Sequence, residues 1–84
     1  MEIKIGTILK NIRLNNGVKK YTQKAEGEII GVRDTTISAY ERNKIQPDFN
    51  TIRKVLDLHG YSIIILDQER KTIDLEKLSI DPDV

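Results

Sequence analysis

Eighty-four residues without a cysteine make one domain with no room for a separate catalytic one, and they exclude disulfides or cysteine-held metal as reinforcement. The longest apolar run, Ile63 to Leu66, is far too short to cross a membrane, and Met1–Ile5 has no secretory-signal character, so a soluble cytoplasmic protein is expected. The net charge of +1 conceals an asymmetry: residues 1–56 hold eleven Lys/Arg and six Asp/Glu, residues 57–84 three and seven, a basic front suited to a polyanion followed by an acidic rear.

In chain order, Ile5, Ile8, Leu9 and Ile12 recur at spacings of three and four, which predicts a first helix over about 6–15. Asn16-Gly17 stops it, since both tolerate a left-handed cap. A connector with Lys19 and Lys20 leads to Thr22, whose hydroxyl suits the N-cap of a second helix over 23–30. Gly27 weakens that helix by about 1 kcal/mol relative to alanine, so tertiary contacts must hold it. Gly31 closes it and can supply a positive φ in a short turn.

A third helix runs from Asp34 to about Arg42, with Ile37 and Tyr40 inward and Thr35, Thr36, Ser38 and Ala39 outward or sideways. Asn43-Lys44 ends it. Asp48 caps a fourth helix whose buried stripe is expected at Phe49, Ile52, Val55 and Leu56, with Gly60 as its stop. Beyond it, the β-branched run Tyr61–Leu66 predicts a strand. The alternation Lys71-Thr72-Ile73-Asp74-Leu75 suggests a second strand, with Gln68-Glu69-Arg70 as the turn. The tail from Ser79 reads as frayed. The expected class is mainly α, four to five helices with a short C-terminal strand or hairpin, divided as 1–60 and 61–84.

The segment Thr22-Gln23, Gly27, Gly31-Val32, Thr36-Ile37-Ser38, Glu41-Arg42-Asn43 and Pro47, led by Ile5-Gly6 and Arg13, resembles the Cro and phage-repressor (XRE) class of helix-turn-helix proteins over about residues 5 to 60. The chain departs from the class at Glu26, where a buried leucine is usual, at the inserted Lys19-Lys20-Tyr21, and at Arg33, where a serine cap is usual. Glu26 implies either a rotated second helix or a partner for the carboxylate.

The resemblance implies double-stranded DNA as partner, with Gln23 on one phosphate and Arg42, Asn43 and Lys44 on others. Position and charge add Lys19, Lys20 and Arg33, the first two equally readable as solvated charges. Base readers fall at Asp34, Thr35, Ser38 and Ala39; Asp34 reads better as an acid favouring the helix N-terminus. Arg13 and Glu41 are implied to pair structurally, the competing reading of Arg13 being a phosphate ligand. The Tyr61–Leu66 strand, with Tyr61, Ile63 and Ile65, is the candidate homodimer element. A short member of this class also resembles antitoxins that repress their own operon and neutralise a toxin. His59, beside the helix stop, suits a helix C-terminus and lacks the neighbours of a metal site. No cofactor is expected, and no catalytic constellation appears.

Overall fold

The computed structural model describes residues 2–16 and 20–82. Its helices are α1 (Ile5–Asn11), continued by a π-helical turn (Ile12–Asn16), α2 (Gln23–Ile30), α3 (Asp34–Glu41), α4 (Phe49–Leu58) and α5 (Leu75–Leu78), with strands β1 (Ile65–Leu66) and β2 (Thr72–Ile73) between α4 and α5. Gly17 and Lys19 lie outside the described residues.

The caps sit where the sequence places them. Thr22 Oγ1 accepts from the Ala25 amide at 3.0 Å, and Asp48 Oδ1 from the Thr51 amide at 2.7 Å, each satisfying a first-turn donor. Gly31 ends α2 at φ 86°, and its amide and that of Val32 both donate to the Gly27 carbonyl at 2.8 Å. A Cβ on Gly27 would stand 2.5 Å from the Val32 carbonyl oxygen, so the two glycines together make the short turn between α2 and α3 possible.

The helices pack on a small core of Leu9, Ile37 and Val55, joined by four buried ionisable side chains, Arg13, Glu26, Glu41 and His59. Phe49 is not part of it. At 52% exposed it departs from the expected stripe, because the first residue of α4 lies one turn short of Ile52 and Val55. Ile8, expected inward, is 38% exposed at the rim of α1.

The C-terminal strands are shorter than the pattern suggests. They pair antiparallel, Ile65 with Ile73 and Leu66 with Thr72, and the ladder ends where its partner does. On one side Asp67 takes the turn, its Oδ1 accepting from the Glu69 and Lys71 amides at 2.8 and 2.9 Å, with Arg70 at φ 63°. On the other, Asp74 Oδ1 accepts from the Glu76 amide at 2.9 Å and draws Leu75 into α5. Among the described residues no strand runs beside Tyr61–Ile64, which are irregular. The Cα radius of gyration, 14.6 Å, exceeds the ~12 Å of a compact chain of this length. The long axis is 42 Å against 26 Å across, and no residue from Gly60 to Pro82 is buried.

Candidate nucleic-acid interface

The outer side of α3 carries the residues expected to read bases. Asp34 and Thr35 are exposed at its start, and Ser38 and Ala39 are half-buried one turn on. Ile37, only 2% exposed, anchors the opposite side, so the backbone of this helix is held while its outer face stays open. Asp34 Oδ1 accepts from the neighbouring Thr35 amide at 2.8 Å. The carboxylate thus turns back on the helix start, where the free amides favour it, rather than outward.

Cationic side chains flank this face. Arg33, Arg42, Lys44 and Lys20 are exposed, with Arg42 Nε only weakly held by the Ser38 carbonyl at 3.4 Å. Gln23 stands at the first position of α2, and its Nε2 donates to Glu41 Oε1 at 3.0 Å. One of its two amide hydrogens is so engaged, and the amide has a second to donate.

Asn43 has a structural task within the protein. Its Oδ1 accepts from the Gly6 amide at 2.9 Å, its Nδ2 donates to Thr7 Oγ1 at 3.0 Å, and its own amide donates to the Tyr40 carbonyl at 3.0 Å. With φ at 58°, it occupies the left-handed position that ends α3, which asparagine tolerates. It therefore positions α1 against α3, while its exposed side chain keeps one Nδ2 hydrogen to donate. Gly6 permits that approach: a Cβ there would lie 1.9 Å from the Tyr40 carbonyl oxygen.

Beneath the face, Arg13 and Glu41 meet in a bidentate pair, Nε to Oε2 at 2.7 Å and Nη2 to Oε1 at 2.8 Å. Arg13 Nη1 also donates to the Tyr21 carbonyl at 3.1 Å. The arginine so ties the end of the first helix to the connector and to the end of α3. With Arg13 buried among these partners, it is not placed to be a phosphate ligand.

Burial alone pushes the Glu41 carboxyl up. The hydrogen bonds from Arg13 and Gln23, with the charges of Arg13 and Lys10, outweigh it and hold Glu41 below its ordinary 4.5. A depressed carboxyl contributes stability above its unfolded value, and that contribution disappears as pH falls through the folded one. Urea midpoints from pH 6 to pH 2.5 should therefore drop below about pH 4.5, and Glu41→Gln should start lower and fall less steeply. Equal slopes in the two proteins would exclude the pair as the acid-sensitive element.

A second buried contact was not foreseen as a pair. Glu26 Oε1 and His59 Nε2 are hydrogen-bonded at 2.6 Å, with side chains 2% and 0% exposed. The Tyr21 ring meets the imidazole edge-on, centroids 5.5 Å apart. Of the two options left open for Glu26, a rotated helix or a partner, the carboxylate has a partner. The His59 backbone caps the end of α4 while its side chain serves the interior. The available signal was the conjunction of an acid at a core position and a single histidine.

The described residues contain no cluster of three or more potential metal ligands, and no helix among them is long and apolar enough to cross a membrane. Comparison with known families gives a match to the helix-turn-helix profile over residues 9–66, which spans α2, the Gly31 turn and α3. No curated protein and no solved structure matches the chain.

Proposed function

The chain belongs to the Cro and phage-repressor-type (XRE) helix-turn-helix family and is a DNA-binding regulator of that type; within that premise, we propose that it is a repressor that binds a palindromic operator as a homodimer. The observation that carries this reading is the outer face of α3: Thr35 and Asp34 exposed beside the uncovered cations Arg33, Arg42 and Lys44. Base edges are then read by Thr35 and Ser38 through hydrogen bonds and by Ala39 through a thymine methyl, with Asp34 holding the start of α3. Phosphates are met by Gln23 with the α2 amides, and by Arg33, Arg42, Lys44 and Lys20.

A lone reading helix binds weakly, and two of them need half-sites about 34 Å apart. Dimerisation through residues 61–84 is supported by the exposed edge of β1, which has a strand on one side only among the described residues. Tyr61, Ile63 and Ile65 belong to that element. No catalytic role is proposed.

A second reading is favoured by one feature. The segment after α4 is acidic and also exposes Ile64, Leu78 and Ile80, a combination suited to a basic protein partner such as a toxin. Co-expression with the product of a neighbouring gene, followed by size-exclusion chromatography, decides between a complex and a free dimer.

Fluorescence anisotropy on a fragment of the protein's own promoter, across a salt series, tests the division of roles. Binding should weaken steeply with salt, and Arg42→Ala or Lys44→Ala should each flatten the slope by about one contact. Thr35→Ala and Ser38→Ala should instead change the ranking of operator variants at constant slope. Identical behaviour of both classes would refute the assignment.

A further inference from the structure

Ile29 and Ile30 of α2 and Lys54, Asp57 and Leu58 of α4 line an open cleft of about 460 Å³, none of them among the residues assigned to DNA. Ile29 is 56% exposed on its rim. The two walls are joined by the Glu26–His59 hydrogen bond, which links α2 to the end of α4. Being open on one side, the cleft would leave much of a small molecule in water, so it suits a protein surface better.

The rim says which one. It carries one exposed cation and one exposed anion, Lys54 and Asp57, around an apolar centre. A strongly basic or strongly acidic partner would set a like charge against one of them. A second copy related by a two-fold axis would not: the exposed Ile29 of each copy can enter the cleft of the other, with Lys54 of each set opposite Asp57 of its partner. The α4 wall of the cleft also runs directly through Gly60 into Tyr61, whose amide donates to the Leu56 carbonyl at 2.8 Å. The patch is thus continuous with the segment assigned to dimerisation.

We propose that the Ile29–Leu58 cleft is an isologous contact between two copies of this chain, with Lys54 and Asp57 as its reciprocal ion pairs. The inference rests on the dimer reading, but not on strand pairing by the hairpin.

Sedimentation equilibrium of the full chain without DNA tests it, using Lys54→Asp, Asp57→Lys and the double exchange, with circular dichroism confirming the fold of each. Each single reversal makes two repulsive contacts and should raise the dimer dissociation constant about ten-fold or more. The double exchange recreates two attractive ones and should return it to within about three-fold of wild type. Single reversals without effect, or a double exchange that fails to restore dimerisation, would overturn the cleft contact while leaving the dimer intact. A wild-type chain monomeric at the highest concentration reached would remove the dimer reading and the cleft contact with it.

Discussion

Replacing His59 by alanine should destabilise the fold by about 3–5 kcal/mol, because it leaves the Glu26 carboxylate buried without a partner. Both side chains are almost wholly inaccessible, and their 2.6 Å contact joins α2 to α4. The change also opens a cavity beneath Tyr21, whose ring packs edge-on against the imidazole. A domain of this length has a total stability of about 4–13 kcal/mol, so this single change removes a large part of it. The control is a joint replacement, Glu26→Leu with His59→Phe. It removes the polar pair as a unit and should be near neutral or stabilising, since apolar residues of similar volume often match a buried polar pair. Urea unfolding monitored by circular dichroism measures both. If His59→Ala costs less than about 1 kcal/mol, the contact does not bear on stability as argued.

Arg13→Ala should have a comparable cost, about 3–5 kcal/mol, with an additional effect on DNA binding. Arg13 is 8% exposed and holds both oxygens of Glu41 as well as the Tyr21 carbonyl. Glu41 is the last residue of α3 and also accepts from Gln23. Loss of the arginine therefore frees the end of the recognition helix and the side chain assigned to a phosphate at one stroke. Arg13→Lys should not rescue it, since an ammonium cannot reproduce the two-pronged contact. The discriminating comparison is affinity under conditions where the variant is still folded. A folded Arg13→Ala protein with wild-type affinity would show that the pair supports the core alone.

Much of the helical architecture is legible in the residues themselves. Thr22, Gly31, Asp48 and Gly60 announce helix ends by local chemistry, and local chemistry survives folding. Elements whose extent depends on a partner are less legible. The Tyr61–Leu66 run is apolar enough for a longer strand, but its ladder is only as long as β2, which Asp67 and Asp74 confine from either side. Phe49 has the right spacing for the core and the wrong place along α4. Spacing specifies a helix face; it does not say how far the core extends.

The interior polar contacts show the same limit. The Arg13–Glu41 association was implied by resemblance, and the two side chains do meet. Glu26–His59 spans thirty-three positions, and only packing reveals that the two side chains converge. Asn43 has a positive φ and bonds to Gly6 and Thr7 that position α1, a role its place after the third helix does not announce. Such a residue looks like any polar side chain until its neighbours are known.

Selection of binding sites from random double-stranded DNA tests the central claim most directly, with wild-type protein and the Thr35→Ala/Ser38→Ala variant run in parallel. The outer face of α3 predicts that wild type enriches a two-fold symmetric motif and that the variant loses or changes preference at a few positions within each half while still binding DNA. Enrichment of the same motif by both proteins, or of no motif by either, would contradict it.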